Sequence, residues 1–183
     1  LGGILKQGNV TAGDVIVTDK APMAVKKAVE MLKVNAMAEN TMVAEQADVL
    51  FLAVKPQIYE PVIREIASSV KEGAIIISIA PGKKIEWMDE LFGGGKKIVR
   101  CMPNTPALVG EGMSGVAYDA AKFNDEEKEM VKTIFTSIGK MELVPENMMD
   151  VVASASGCSP AYVYMFIEAL ADGCVKNGLP RAL

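Results

Sequence analysis

Three turns hold the residue types best suited to gripping a flat, anionic ligand, and each follows a short apolar run. Ala53-Val54-Lys55-Pro56-Gln57 places a cation where such a run ends, although Lys and Pro are equally at home in a solvated loop. Ser78-Ile79-Ala80-Pro81-Gly82 offers small residues that let a planar ring approach the backbone. In Met102-Pro103-Asn104-Thr105-Pro106, two prolines fix a loop whose amide and hydroxyl can be aimed with little entropic loss. The alternative for that loop is a structural turn in which Asn104 bonds its own backbone. Asp19 ends a further run; it suits the ribose hydroxyls of NAD, adjacent Lys20 suits a 2'-phosphate, and Asp19 serves equally well as a turn residue.

The chain contains no histidine, which removes the commonest general base, the usual zinc ligand and every Ser-His or Cys-His pair. Chemistry must then come from a cofactor, Lys, carboxylates, hydroxyls or the backbone, and no side chain is assigned a catalytic role. Cys101, Cys158 and Cys174 have no metal-ligand spacing, so no metal site is expected and all three read as packing residues of a reduced, cytoplasmic protein. The 12 methionines read as core filler. Glu168, Asp172 and Lys176 share one helix face and read as a solvated stripe or an intrahelical pair rather than a catalytic site.

Positioning those turns requires a sheet. Val15–Thr18, Val49–Val54, Ala74–Ile79 and Ile98–Cys101 are apolar without alternation, the mark of parallel strands covered on both faces. Between them, Pro22 opens a helix over Met23–Leu32, and helical spacing recurs over Ile58–Val70 and Lys84–Phe92. This alternation predicts a doubly wound, Rossmann-type α/β sheet. Leu1 to Gly8 reads as the back half of a glycine-capped helix, which places any glycine-rich phosphate loop upstream of residue 1.

Further on, a helix is expected over Asp125–Ser137 and an edge strand over Lys140–Leu143, and the character turns to continuous helix from Asn147. A boundary is therefore drawn between a dinucleotide-binding domain, 1–146, and the start of an all-helical domain, 147–183. Ser159 before Pro160 reads as a capped start, Gly178 as a stop, and Pro160–Asn177 as a helix apolar around most of its circumference. Such a helix must be buried, in a bundle or against a second subunit. Half the residues are apolar and the net charge is -4, with no basic stripe for a nucleic acid and no apolar run long enough to span a bilayer.

Val54-Lys55-Pro56-Gln57, Arg100-Cys101-Met102-Pro103-Asn104-Thr105-Pro106 through Gly110-Glu111-Gly112, Ser156-Gly157-Cys158-Ser159-Pro160-Ala161-Tyr162, and Glu168 to Gly173 running on to Gly178-Leu179-Pro180-Arg181 together resemble the pyrroline-5-carboxylate reductase family. The resemblance covers essentially the whole chain. It implies a Rossmann domain, a helical dimerisation domain that interlocks with a second subunit, and NADPH or NADH reducing 1-pyrroline-5-carboxylate to L-proline. Carried over by position, Asn40, Ala53, Val54, Lys55 and the Ala80-Pro81 turn look like cofactor contacts, with Pro56 in the same motif and Asn104 near the nicotinamide. It also implies a phosphate loop before Leu1 and a substrate-carboxylate loop after Leu183. Two other readings stay open: a Rossmann dehydrogenase of the β-hydroxyacid or prephenate type, and a non-catalytic cofactor-binding fragment.

Overall fold

A computed structural model describes residues 1–183. Helix α1 (Gly2–Gln7) ends at Gly8, whose φ of 76° suits the left-handed cap expected there. Strand β1 (Ile16–Val17), helix α2 (Pro22–Leu32, proline in its first turn) and strand β2 (Asn35–Ala36) form one small parallel unit. Helix α3 (Asn40–Gln46) then leads to β3 (Val49–Leu52), α4 (Tyr59–Ile66), β4 (Ile75–Ser78), α5 (Ile85–Leu91) and β5 (Lys97–Met102). Strand β6 (Gly112–Tyr118), helix α6 (Asp125–Thr136) and strand β7 (Gly139–Leu143) complete the main sheet.

Its order is β3-β4-β5-β6-β7; β5 and β6 run antiparallel and the other neighbours parallel. Strands β1 and β2 pair with each other and not with β3, so the expected single sheet is two. Every residue of β4 is buried, because helices cover both faces. Its side chains alternate between them. Ile76 joins Leu50 and Leu52 against Tyr59 and Ile63 of α4 and Met88 of α5, while Ile75 and Ile77 join Val99 and Cys101 against Val131 and Phe135 of α6. Ile16 of β1 and Met37, just after β2, pack on the first of these clusters. Helix α6 starts with a reciprocal cap in which Asn124 accepts from the Glu127 amide and Glu127 accepts from the Asn124 amide.

Beyond β7 the chain is helical, as expected, but not uniformly so. Helix α7 (Met149–Val152) passes into a π-helical turn, Ala153–Gly157, and then into α8 (Ser159–Lys176). The Cys158 amide reaches back five residues to the Ala153 carbonyl at 3.0 Å. Ser159 is not the cap: the preceding turn already occupies that place, and its hydroxyl bonds the Ala155 carbonyl instead.

One expectation for this region, that all three cysteines pack in the core, is corrected. Helix α8 has no buried residue, because nothing in residues 1–183 covers it; Tyr162, Phe166 and Ile167 are more than half exposed. For the same reason Cys158 and Cys174 are exposed, and of the three cysteines Cys101 alone packs in the core. Glu168 and Asp172 both bond Arg181, which folds back from beyond the helix end, so the two carboxylates of this solvated stripe are ion-paired at the surface.

Candidate functional site at the carboxyl edge of the sheet

Strand register sets three carboxyl ends side by side: Leu52, the end of β3, pairs with Ser78, the end of β4, which pairs with Arg100, two residues before β5 ends at Met102. The turns that follow open on one edge and bring Ala53, Val54, Lys55, Pro56, Ala80, Pro81 and Asn104 there, the position where ligands bind open α/β sheets. Lys55 is extended at φ −65°, and its carbonyl accepts the Ile58 amide at 3.0 Å, so Pro56 begins a tight 3-10 turn. Its exposed ammonium is free of the ion pairs that occupy Lys71, Lys97 and Lys122. After β4, Ala80 is 3% exposed while Pro81 and Gly82 are open to solvent. Gly82 has a φ of 70° and open space around it, so conformation rather than crowding calls for glycine.

Asn104 is tied down on both sides. Its carbonyl side-chain oxygen accepts the Met113 amide at 2.8 Å, and its Nδ2 donates to Ser156 Oγ at 3.1 Å. The side chain therefore bonds not its own turn but the start of β6 and the π-helical turn, joining sheet and helical segment. Gly157 sits against the end of β5, where a Cβ would lie 3.7 Å from Met102 Sδ.

Asp19 and Asn40 lie apart from these turns, beyond the ends of the small β1–β2 pair. Asp19 Oδ1 accepts the Ala21 amide at 2.8 Å, which makes Asp19 a turn residue leading into α2. The Asn40 amide contacts both carboxylate oxygens of Glu65 at 3.2 Å.

Two buried polar residues that carried no signal of function in the sequence organise the edge. Tyr59, fully buried at the start of α4, donates its hydroxyl to the Leu52 carbonyl at 2.6 Å and accepts from Ser78 Oγ at 3.2 Å. A buried tyrosine must find a partner for its hydroxyl, but sequence spacing does not say which. Arg100, 3% exposed on β5, bonds Glu146 Oε1 at 3.5 Å and Asp150 Oδ1 at 3.0 Å. Glu146 also accepts the Ile85 amide at 2.7 Å, so one guanidinium ties β5 to the first turn of α5 and to α7.

Burial also sets the acid-base character here. It pushes the Cys101 thiol up to about 12, and it raises the Tyr59 phenol. Cys101 is thus an inert thiol rather than a nucleophile. Both groups hold their protons more tightly folded than unfolded. Their stabilisation is complete below the unfolded values and is lost as pH climbs through the folded ones. The urea midpoint is expected to fall as pH rises from 9 towards 12, and Cys101→Ala to flatten that fall. A midpoint indifferent to pH in this window would contradict the burial.

Comparison with known proteins places this geometry. Residues 1–82 match the family described as NADP oxidoreductase, coenzyme F420-dependent, and residues 146–183 match the pyrroline-5-carboxylate reductase dimerisation family. Pyrroline-5-carboxylate reductase of Escherichia coli K12 is 41% identical over 182 residues, covering 100% of this chain and 67% of that protein. The structure of Plasmodium falciparum pyrroline carboxylate reductase with NADP bound superposes with a TM-score of 0.88 at 35% identity, covering 98% of this chain and 65% of that one. Prephenate dehydrogenase of Aquifex aeolicus, at 16% identity and a TM-score of 0.68 over 97% of this chain and 65% of its own, shares the fold. The chain thus spans about two thirds of the length of these relatives. With 41% identity to a curated reductase along its whole length, the chain belongs to the pyrroline-5-carboxylate reductase family.

Proposed function

We propose that the three turns after β3, β4 and β5 hold a reduced nicotinamide dinucleotide, and that the protein to which this chain belongs reduces 1-pyrroline-5-carboxylate to L-proline as the last step of proline biosynthesis. The observation that carries the reading is the shared edge: an unpaired lysine, a turn of small residues and a doubly anchored asparagine at the carboxyl ends of adjacent parallel strands. The residues suit such a ligand. Ala80 and Gly82 put little side-chain bulk beside the backbone, and Lys55 presents a free cation to an anionic ligand.

When bound, a reduced nicotinamide supplies a hydride to the imine carbon, and the nitrogen, taking a proton, becomes the ring amine of proline. The protein's part is to hold the two reactants in register and to keep the ring edge dry. Asn104 fixes the wall next to the helical segment, and Lys55 orients the dinucleotide. NADPH is favoured over NADH because the Plasmodium relative was solved with NADP. Lys20 and Asn40 would then serve the adenosine end from the small β1–β2 pair, Lys20 meeting the 2'-phosphate, while Asp19 holds its turn and would suit the free ribose hydroxyls of NADH instead.

The domain division belongs to the same reading, with residues 1–146 binding the dinucleotide and 147–183 beginning the helical domain. Helix α8 would be covered by a second copy of the chain, supported by its exposed apolar circumference and by the dimerisation match over residues 146–183. No helix is long and apolar enough to cross a membrane. A cytoplasmic location is part of the proposal, in keeping with three unpaired cysteines.

Purified complete protein is expected to convert pyrroline-5-carboxylate to proline with loss of NADPH absorbance, and to leave hydroxyacids and prephenate unoxidised. Oxidation of those acids without imine reduction would favour the dehydrogenase alternative. Lys55→Met is expected to raise the dinucleotide KM about fivefold, the scale of an exposed charge contact of about 1 kcal/mol. An unchanged KM and kcat would refute that role.

A further inference from the structure

Tyr59 is fully buried, yet its hydroxyl reaches the ends of two strands at once. It donates to the Leu52 carbonyl, the last residue of β3, and accepts from Ser78 Oγ, the last residue of β4. One atom therefore sits between the turn carrying Ala53 to Pro56 and the turn carrying Ala80 and Pro81. It touches neither exposed face of the edge, and nothing in the proposed chemistry uses it.

We infer that Tyr59 is a positioning residue for the dinucleotide: its hydroxyl fixes the separation between the Lys55 turn and the Ala80-Pro81 turn, and so the width of the groove between them. The inference rests on the proposed dinucleotide edge. Interior packing transmits small displacements, and a buried hydrogen bond lost on one side leaves a carbonyl and a hydroxyl to find new partners. Phenylalanine keeps the ring in its place under β3 and β4 and removes the link alone.

The test uses the complete protein, with the Kd for NADPH measured by calorimetry beside steady-state kinetics. Tyr59→Phe is expected to raise the Kd and the dinucleotide KM together by about tenfold, the scale of one buried hydrogen bond. At saturating NADPH, kcat and the imine KM should stay within about twofold of the parent, because the defect is in holding the dinucleotide. Val131→Ala, a buried residue of α6 in the core on the sheet's other face, controls for general softening: it should lower Tm and leave the Kd unchanged. Ser78→Ala, which removes one partner of the phenol and leaves its ring packed, should shift the Kd in the same direction by a smaller factor, and decides the matter if Tyr59→Phe does not fold.

An unchanged Kd in Tyr59→Phe, or an equal rise in Val131→Ala, would overturn the inference, as would an unmoved Kd in Ser78→Ala where that variant stands in. If the parent binds NADPH but makes no proline, the reductase reading fails while the comparison of Kd values still decides Tyr59. A parent that does not bind NADPH would sink both.

Discussion

Replacing Glu146 and Asp150 together by alanine is expected to cost about 3–5 kcal/mol of stability, because it leaves a buried guanidinium with no carboxylate partner. The Arg100 side chain is 4% exposed and its Nε already lacks a partner, whereas Glu146 and Asp150 are 33% and 83% exposed. The pair's own Coulomb energy is therefore modest, screened by water on the carboxylate side. The large term is the desolvated cation left behind. A Tm fall of roughly 10 °C follows for a chain of this size. Adding Arg100→Met to the double variant should recover much of the loss, since an apolar residue of similar length needs no counter-charge. A double variant within about 1 kcal/mol of the parent would mean that water reaches the guanidinium. Because Glu146 also bonds the Ile85 amide, the same variant should loosen the start of α5.

Gly139→Ala should be nearly as damaging. Gly139 has a φ of 142°, and a Cβ there would lie 2.0 Å from the Gly112 carbonyl oxygen and 2.4 Å from its nitrogen, atoms of the partner strand backbone that cannot swing aside. Strain and overpacking together are worth on the order of 4 kcal/mol, and would push β7 off β6. Functional damage should accompany it. Gly112 precedes Met113, whose amide holds Asn104, so prying the strands apart moves one wall of the candidate site. Thermal melting checks the first effect and NADPH titration the second. Gly13→Ala is the control: that residue is exposed, its φ is ordinary, and the nearest atom to a new Cβ is 3.6 Å away. Equal melting temperatures for the Gly139 variant and the parent would show that the crossing is looser than described.

What the sequence made legible was the part governed by local pattern. Unbroken apolar runs mark β3, β4 and β5, Pro22 and Gly8 mark helix ends, and the three turns at the edge follow from where those runs stop. Strand β2 escaped notice because it has two residues, both exposed, with no apolar signature. The antiparallel turn of β6 depends on the Thr105–Val109 loop returning the chain, which strand composition does not encode. Contacts between distant residues were equally hidden. Asn104 meets Ser156 across 52 positions and Arg100 meets Asp150 across 50, while the Tyr59 hydroxyl bridges two strands whose pairing must first be known. For α8 the pattern marks a helix apolar on nearly every side, and nothing within residues 1–183 covers it.

The central claim is that the Lys55, Ala80-Pro81 and Asn104 turns receive the nicotinamide half of the cofactor. A crystal structure of the complete protein grown with NADPH tests it most directly. The expected electron density places the ring against the Ala80-Pro81 turn, with Asn104 beside it and Lys55 turned towards the dinucleotide. Density for the dinucleotide at another surface, with those three turns bare, would contradict the account.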